Sequence, residues 1–394
     1  MRSNGDGICL YDRLPNKIAM KLSFLIYSYF PYGGQQRDFL RIAERCVIKG
    51  YKADVYTLSW QGDAPSNLNV IIVPVKALTN VGLYRKYTSW VFKRLRNKEP
   101  SVVIGFNKMP GLDVYFAADP CFLEKAENQR GPLYKFTSRY RHFAEYERAV
   151  FGENQTTEIM TLTAQQRQDF EKYYPDSIRR MHDLPPGIDL DRRIEDQRET
   201  KRLAFREKFS ITKDEIVLLQ IGSGFRVKGI DRSLKAVASL PSELRDRVIF
   251  ILVGKDKPAK VLKLADDLAI RDRLLIVPGS EDIPDFLAGS DLMLHPAYRE
   301  SAGHVLLEAM VSGLPVLTTS TCGYAWHIEQ AKSGLVCAEP FNQDELNHKL
   351  SLMIKNEDEI SWSENGLKYE RENDLYSLHE KAADLIDKFA ENIK

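Results

Sequence analysis

Short apolar runs alternate with helical patterns along the whole chain, and this alternation predicts the fold. Several of the runs are apolar at every position, as strands buried on both faces are. Between the first two runs, apolar residues recur at helical spacing from Phe39 to Val47, and Gly50 ends the predicted helix. In the first half of the chain the predicted strands are 21–27, 53–59, 69–75, 101–106 and 158–163.

A second series of strand-like runs begins after a break in the pattern. The break is a Pro-Pro-Gly turn followed by a charge run, and it predicts a domain boundary near 187–200. Strand–helix alternation predicts parallel sheets with right-handed crossovers. We therefore expect an α/β protein with two doubly wound, Rossmann-like domains that face a central cleft. The strands of the second series are predicted at 215–222, 248–254, 273–279, 291–296, 314–320 and 334–339.

Composition excludes some classes of function without identifying one. The 394 residues are 43% hydrophobic and 28% charged, and a formal net charge of +1 gives no argument for a nucleic-acid partner. No apolar run approaches the roughly 20 residues that span a bilayer. The first twenty residues lack the apolar core of a signal peptide. The five cysteines show no metal-ligand spacing, so we expect buried thiols in a reducing cytosol.

A glycine pair directly follows the first predicted strand. Gly33 and Gly34 allow the backbone to approach a ligand closely, and the helix after them offers free N–H groups and a positive dipole end. Such a turn suits a phosphate or a sugar, although a plain strand-to-helix turn uses the same residues. Asp38 lies one turn into the predicted helix and is a candidate to face the cleft.

The loop after the first strand of the second series carries glycines and cations but lacks the dinucleotide fingerprint. Gly222 and Gly224 fit the first two positions of G-x-G-x-x-G, but Val227 stands where the third glycine is required. What remains is a glycine-rich turn with Arg226 and Lys228. Their charges match a diphosphate that is bound without a metal. Two solvated surface cations are the alternative interpretation.

Two carboxylates in an apolar stretch, Glu300 and Glu308, are the strongest candidates for ligand binding. Charged groups rarely lie in such a run without a partner. One lies in the loop after a strand and the other in the following helix, so they can address different parts of one extended ligand. Carboxylates accept hydrogen bonds from sugar hydroxyls. The helix N-terminus between them offers amides to an anion, at Ala302, Gly303 and Val305. A purely structural role for the pair is the alternative.

Basic and aromatic residues interleave over 131–151. This composition suits the surface of an anionic membrane. An amphipathic helix whose aromatic residues belong to the core is the alternative. The residues predicted to face a membrane are Lys135, Arg139, Tyr140 and Arg141.

The spacing of Glu300 and Glu308 resembles the E-x7-E motif of the family-4 retaining glycosyltransferases, and the segment 311–319 resembles the one that follows it there. More narrowly, four longer segments resemble the members that add the first glucose to the inner-core heptose of lipopolysaccharide in Gram-negative bacteria. The resemblance runs from residue 20 to the C-terminus, and implies a GT-B fold, UDP-glucose as donor, no metal or other cofactor, and retention at the anomeric carbon. The four segments are 29–39, 81–87, 105–119 and 133–142.

Carried over to matching positions, the resemblance implies a role for each candidate residue. Glu300 would bind the glucose hydroxyls, Glu308 the ribose and Lys228 the diphosphate. Gly34 would approach the phosphates, and Arg192 would help there. Together with Gly33, Arg226, Ala302, Gly303 and Val305, these residues form the predicted donor site.

Asp119 would face the reacting sugar by the same resemblance. Two positions depart from the family pattern. Ser223 stands where relatives often carry arginine, and Val227 stands where this subfamily can have arginine beside Lys228. Arg226 can substitute from a shifted position. The predicted catalytic residues are Asp119, Glu300 and Lys228.

The resemblance also implies the domain roles and the partners. We expect a UDP-sugar donor, a lipid A-core oligosaccharide acceptor, an anionic membrane surface, and a peripheral location on the cytoplasmic face of the inner membrane. The predicted segments are a polar extension at 1–19, an acceptor- and membrane-facing domain at 20–190, a nucleotide-sugar-binding domain at 191–365, and a C-terminal helix at 366–394 that returns to the first domain.

Neither motif carboxylate is expected near the anomeric carbon as a nucleophile. We therefore expect same-face substitution, in which the departing diphosphate takes the acceptor proton and Lys228, Arg192, Arg226 and helix-end amides neutralise it. Two alternatives stay open. A sugar-nucleotide epimerase of the same fold would need acid and base groups on both faces of the ring. The other is a catalytically silent lipid A-core binding protein.

Overall fold

Parallel strands form the centre of both units into which the chain divides. The computed structural model describes residues 20–31, 33–279, 282–356 and 360–392, apart from the side chain of Gln129. The first unit comprises the described residues up to Thr161, then Arg167–Leu184, and the described residues from His379 onward. The second unit comprises Leu162–Gln166 and Pro185–Leu378.

The first unit contains a seven-stranded parallel sheet in the order β5-β3-β1-β6-β7-β8-β9 and a two-stranded pair, β2 and β4. Phe24 in the central strand is in register with Val55 on one side and Ile104 on the other. The strands are β1 (Lys21–Leu25), β2 (Ser28–Tyr29), β3 (Lys52–Thr57), β4 (Ser59–Trp60), β5 (Asn69–Ile72), β6 (Ser101–Gly105), β7 (Val114–Phe116), β8 (Glu158–Thr161) and β9 (Met181–Asp183).

Five α-helices connect these strands. They are α1 (Gly34–Ile48), α2 (Asn80–Leu95), α3 (Phe122–Gln129), α4 (Ser138–Phe151) and α5 (Ala164–Tyr173). Gly50 follows α1 with a φ of 96°, a left-handed conformation that ends the helix as predicted. A short 3-10 helix, Pro132–Phe136, precedes α4, and another, Pro175–Arg180, precedes β9.

The second unit contains a six-stranded parallel sheet in the order β12-β11-β10-β13-β14-β15. Its strands are β10 (Ile216–Ile221), β11 (Val248–Val253), β12 (Leu274–Val277), β13 (Leu292–His295), β14 (Val316–Thr319) and β15 (Gly334–Cys337). Its helices are α6 (Arg198–Lys208), α7 (Ile230–Ala238), α8 (Ser242–Arg245), α9 (Ala259–Asp267), α10 (Ile283–Gly289), α11 (His304–Val311), α12 (Ala325–Ala331), α13 (Gln343–Lys355) and α14 (Trp362–Glu372). Short 3-10 helices lie at Leu190–Arg192, Glu195–Gln197 and Arg271–Arg273.

The second sheet is covered on both faces. Val217 and Leu219 of β10 pack into one apolar cluster, whereas the intervening Leu218 packs into the other. All three side chains are fully buried. This is why the strand is apolar at consecutive positions, since successive side chains point to opposite faces.

The predicted strands are present, but most of them are shorter than predicted. The run at 69–75 ends as a strand at Ile72, because Pro74 has no N–H group for the ladder. β14 begins after Pro315 for the same reason. The sequence analysis missed β7 and β9, which have three residues each, too few to show a period.

The C-terminal segment is divided between the units. The prediction of one helix at 366–394 is wrong, because the structure has α14 in the second unit and a separate helix, α15 (Leu378–Asn392), whose residues from His379 belong to the first unit. Along the chain, the boundary between the two units lies between Leu184 and Pro185, before the predicted boundary at 190. Residues 1–19 lie outside the described ranges.

Cys46, Cys121, Cys322 and Cys337 are buried free thiols, as expected, whereas Cys9 lies outside the described residues. Among the helices that the structure describes, none combines the length and the apolar composition that crossing a membrane requires.

Polar contacts attach α15 to α1 in the first unit. His379 Nε2 lies 3.0 Å from Asp38 Oδ1, and both residues are buried. Lys49 Nζ donates to Asp384 Oδ1 over 2.6 Å at the end of α1. A more exposed contact joins Arg45 Nε to Glu380 Oε2 at 3.7 Å. Asp38, a candidate for the cleft in the sequence analysis, is therefore engaged with the C-terminal helix instead.

We predict that Asp38→Ala destabilises the first unit by about 1–3 kcal/mol, because it leaves the buried imidazole of His379 without its acceptor. Urea unfolding measures the free energy, and hydrogen exchange of the α15 amides localises the loss. Glu380→Ala is the matched control on the same helix, and it should cost below about 1 kcal/mol because its ion pair is exposed. Equal losses for the two variants would contradict the assignment.

Candidate active site

The predicted site residues divide between the two units. Most of them follow the carboxyl ends of parallel strands, the edge at which open α/β sheets bind ligands. The first unit holds Gly33, Gly34, Asp38, Asp119, Lys135, Arg139, Tyr140 and Arg141. The second unit holds Arg192, Arg226, Lys228, Glu300, Ala302, Gly303, Val305 and Glu308.

The glycine loop after β10 depends on backbone conformations that other residues rarely adopt. The φ angles are 138° at Gly222, 81° at Gly224 and 70° at Gly229. A Cβ on Gly229 would lie 2.0 Å from the carbonyl oxygen of Pro296, so only glycine allows this loop to meet the loop after β13. Lys228 packs over Gly222, where a Cβ would be 3.3 Å from its Cε.

Buried hydrogen bonds fix the main chain of Lys228. Its carbonyl oxygen accepts from Gln220 Nε2 over 2.7 Å, and Ser233 Oγ donates to Gln220 Oε1 over 2.7 Å. Gln220 and Ser233 are fully buried. Arg226, in contrast, is exposed, and its guanidinium group makes no hydrogen bond or ion pair with the described residues. The two cations of the loop therefore differ: Lys228 is held in place, whereas Arg226 is solvated.

Glu300 is held between two nitrogen groups. Lys228 Nζ donates to its Oε1, and His295 Nε2 lies 2.6 Å from its Oε2. Burial alone would raise the pKa of Glu300, but the hydrogen bonds and charges of His295 and Lys228 outweigh it and hold the pKa at about 2. The carboxylate is thus ionised at neutral pH. The sequence analysis assigned no role to His295, although its position at the carboxyl end of β13 was a signal.

Backbone bonds fix the segment around Glu300. Its N–H group donates to Thr321 O over 3.1 Å, and its carbonyl oxygen accepts from Gly323 N over 3.1 Å. Gly303, with a φ of 92°, then turns the chain into α11. Ala302 is buried and its carbonyl accepts from Tyr324 N over 2.7 Å, while Val305 in the first turn is half-buried. The first amides of α11 therefore lie next to the ionised carboxylate in sequence.

Glu308 pairs with Arg192. Both are buried, and Arg192 Nε lies 3.7 Å from Glu308 Oε2. Arg192 Nη1 also donates to Asp191 Oδ2 over 2.7 Å, and Ser312 Oγ donates to the Arg192 carbonyl over 2.9 Å. Arg192 therefore contacts the carboxylate that the sequence analysis assigned to the ribose.

His295, Glu300 and Cys322 place three potential metal-ligand atoms within 4.8 Å of one another. Burial raises the pKa of the Cys322 thiol to about 11, and its Sγ accepts from Thr318 Oγ1 over 3.4 Å. The Lys228 ammonium already contacts Glu300. The arrangement is better explained as a hydrogen-bond network around one carboxylate than as a metal site.

A cavity of about 440 Å³ lies along β12 and beside the loop that follows β11. Gly254, Lys255 and Asp256 line it, and Asp256 Oδ2 accepts from Phe225 N of the glycine loop over 2.7 Å. The sequence analysis missed this cavity, although polar residues directly after a buried strand were again the available signal.

In the first unit, the glycine pair before α1 offers one open position. A Cβ on Gly34 would meet nothing within 4 Å, whereas a Cβ on Gly33 would clash with the side chain of Gln36. The space at Gly34 is compatible with the close approach of a ligand.

Asp119 lines a second cavity, of about 370 Å³, in the first unit. Burial raises the pKa of Asp119, against the charge of Lys108 and a hydrogen bond from Asn107. Its walls combine aromatic residues, among them Tyr84, Phe122 and Phe143, with basic ones. We call this space the aromatic cavity.

The basic and aromatic segment before and within α4 has two faces. Leu133 and Phe136 are 78% and 77% exposed, and Lys135, Arg139 and Arg141 are exposed as well. On the other side of α4, His142, Tyr146 and Phe151 are buried. Tyr140 is half-buried, with its ring 5.7 Å from that of Phe122 and 5.8 Å from that of Tyr134. That Tyr140 faces a membrane stays a prediction, and its ring belongs to an aromatic cluster.

Comparison with known proteins shows that the chain is similar to glycosyltransferases. A family model for the glycosyl transferases group 1 matches residues 201–369. The chain is 48% identical over 368 residues to the lipopolysaccharide glucosyltransferase WaaG of Escherichia coli (strain K12), covering 93% of this chain and 98% of that protein.

Solved structures are also similar. A crystal structure of WaaG matches with a TM-score of 0.88 and 48% identity, covering 93% of this chain and 99% of the other. Sucrose-phosphate synthase from Thermosynechococcus elongatus matches with a TM-score of 0.75, covering 95% and 99%, but its 16% identity shows the fold alone. The predicted α/β GT-B fold with two Rossmann-like domains is confirmed.

We predict that His295→Phe raises the pKa of Glu300, because burial still disfavours the charged carboxylate once the imidazole is removed. Carboxyl ¹³C NMR measures this pKa, and Glu300→Gln assigns the resonance. His327→Phe is the control, since His327 is another buried histidine of the second unit and bonds Tyr369 instead.

In the wild type the folded pKa lies below the ordinary value of 4.5. Glu300 therefore stabilises the folded state above pH 4.5, and this contribution is lost as the pH falls toward 2. An unchanged titration in His295→Phe would contradict the role of this histidine.

Proposed function

The chain belongs to the group 1 glycosyltransferases, and on that premise we propose that it transfers glucose from UDP-glucose to the inner-core heptose of lipopolysaccharide. The identity of 48% to a lipopolysaccharide glucosyltransferase extends over 93% of the chain and thus includes both units. The observation that carries the proposal is the ionised Glu300, held beside Lys228 directly before α11. A fixed carboxylate next to a cation and helix-end amides suits a sugar joined to a diphosphate.

We assign the donor to the ends of β10, β11 and β13. Glu300 accepts hydrogen bonds from the glucose hydroxyls, and Glu308 accepts them from the ribose. The Lys228 ammonium has three donors, so it can hold Glu300 and the diphosphate at the same time. Arg192, which contacts Glu308, orients the ribose-binding carboxylate. The cavity at Gly254 and its neighbours accommodates the uracil.

Same-face substitution with retention is the proposed mechanism. A double displacement needs a carboxylate nucleophile, but Glu300 is engaged with Lys228 and His295, and Glu308 lies beside Arg192. The departing diphosphate then takes the proton of the acceptor hydroxyl. Lys228, the α11 amides and the exposed Arg226 neutralise the charge that develops on it.

Catalysis is proposed to need no metal or other cofactor. The positive charge that a divalent cation would bring to the diphosphate comes from Lys228 and Arg226. The one cluster of metal-ligand types in the described residues, at His295, Glu300 and Cys322, is better explained as a hydrogen-bond network.

The segment 132–141 is proposed to dock on an anionic membrane at the cytoplasmic face. Leu133 and Phe136 offer apolar insertion, and Lys135 and Arg141 lie near them in sequence. A basic residue close to an anionic surface contributes about 1 kcal/mol. The attachment should therefore be reversible and weaken with salt, since exposed charges are screened over about 8 Å at physiological ionic strength.

We predict that the wild type transfers glucose from UDP-glucose to heptose-terminated lipopolysaccharide in the presence of EDTA, and that Glu300→Gln lowers the rate at saturating donor by about a hundredfold or more. The amide keeps the size of the side chain but loses the charge that pairs with Lys228, so the donor is misplaced. Radiolabel transfer measures the rate, and circular dichroism checks the fold.

Glu329→Gln, on the exposed side of α12, is the matched control and should keep full activity. Hydrolysis or epimerisation of UDP-glucose without transfer to any heptose acceptor would contradict the proposed function. A strict requirement for magnesium would contradict the metal-independent mechanism.

For membrane docking, we predict that Lys135→Ser, Phe136→Ser and Arg141→Ser together reduce co-sedimentation with anionic vesicles but leave UDP affinity unchanged. The triple variant removes two cations and one exposed ring. Ile48→Ser, Lys52→Ser and Lys93→Ser remove the same kinds of exposed side chain elsewhere in the first unit and should have little effect. Equal co-sedimentation of the two triple variants would overturn the assignment of the docking surface.

A further inference from the structure

The aromatic cavity of the first unit is lined by half-buried and by exposed residues. Asp119, Asn107 and Tyr27 are among the half-buried ones. Arg130 and Arg139 also line the cavity, and both are exposed. The volume of about 370 Å³ is sufficient for a sugar residue.

These half-buried residues offer hydrogen-bonding groups for the hydroxyls of a ligand. The Oη of Tyr27 is buried and has no hydrogen-bond partner among the described residues, which is costly unless a ligand supplies one. Its ring is stacked on Tyr84 at 4.0 Å, so the hydroxyl is held in place. Tyr27 N donates to Asn107 Oδ1 over 2.9 Å, and the Asn107 side chain is hydrogen-bonded to the Asp119 carboxylate.

The charges of the cavity are unevenly balanced. Lys108 is compensated, because its Nζ donates to Glu147 Oε2 over 2.5 Å and to the Pro120 carbonyl over 2.7 Å. The charges of the two exposed arginines are not compensated by carboxylates. Arg130 lies over the Tyr134 ring at 5.5 Å and Arg139 over the Phe143 ring at 5.3 Å, and neither pairs with a carboxylate of the described residues.

An arginine on an aromatic ring is held in position and keeps its donor edge available. Two such forks at the mouth of a cavity match an oxyanion, which a planar guanidinium binds with paired hydrogen bonds. The exposed Leu133 and Phe136 flank Tyr134, which itself lines the cavity, so the mouth opens close to the proposed docking surface.

We propose that the aromatic cavity binds the acceptor sugar, with its hydroxyls at Asp119, Asn107 and Tyr27, and that Arg130 and Arg139 bind an oxyanion carried elsewhere on the same oligosaccharide. This inference rests on the proposed function and adds the two residues that recognise the charge of the acceptor, Arg130 and Arg139. A phosphate ester and a sugar carboxylate present the same chemistry to the two guanidinium groups.

The test uses lipid-free heptose oligosaccharides, so that membrane docking does not contribute. Three acceptors are compared, one with a phosphate ester, one with a carboxylate and one neutral. For Arg130→Gln with Arg139→Gln, KM for at least one anionic acceptor should rise tenfold or more, while KM for the neutral acceptor and the affinity for UDP stay unchanged. The acceptor with the larger change identifies the oxyanion. Arg130→Lys with Arg139→Lys should restore part of the loss.

Lys93→Gln with Arg179→Gln removes two exposed cations from the same unit and is the matched control. An unchanged KM for both anionic acceptors in the Arg130 and Arg139 variant, or an equal rise for the neutral one, would overturn the inference. A wild type that transfers glucose to none of the acceptors, with or without lipid, would contradict the proposed function instead, so the two failures are distinguishable.

Tyr27→Phe provides a second readout, because it should raise KM for all three acceptors.

Discussion

The ionised carboxylate of Glu300, held between the Lys228 ammonium and the His295 imidazole, is the interaction on which the site of the second unit depends. A buried charge is tolerated only when it is paired and hydrogen-bonded. The pairing therefore ties the loop after β10 to the loop after β13, two strands that are neighbours in the sheet. The contact between Gly229 and Pro296 brings the same two loops together through the backbone.

The first unit contains a comparable arrangement in Glu147 of α4. This fully buried carboxylate accepts from Phe122 N over 2.6 Å and from Leu123 N over 3.1 Å, at the first turn of α3, and also from Lys108. A carboxylate at this place satisfies helix-end amides and matches the positive end of the helix dipole. Helix α4 thus carries exposed cations, Arg139 and Arg141, on one side, and with Glu147 on its other side it fixes Phe122, which lines the aromatic cavity.

Local patterns were sufficient to predict the strands, the helices around them and the position of the carboxylate pair. Apolar periodicity and glycine turns act over a few residues, so the sequence shows them directly. The partners of the charged residues could not be predicted in this way. Asp38 meets His379 across 341 positions of the chain, and only the packing of α15 on α1 brings them together.

The two-faced segment at 131–151 illustrates the same limit. A membrane-facing and a core interpretation were both open from its composition, and the structure shows exposed residues on one side of the segment and buried aromatic residues on the other. The packing of the Tyr140 ring on Phe122 could not be predicted, because this contact depends on how α3 lies against α4. Three-residue strands such as β9 escaped prediction because they carry no period.

The return of α15 to the first unit has a consequence for synthesis of the chain. The second unit is nearly continuous, from Pro185 to Leu378, and its sheet can form as soon as that stretch has left the ribosome. The first unit begins to emerge earlier, yet the residues from His379, which contact α1, are translated only after the second unit. During translation, the apolar surface that α15 later buries therefore stays open while the second unit folds. A chaperone that shields this face would act on the older part of the nascent chain.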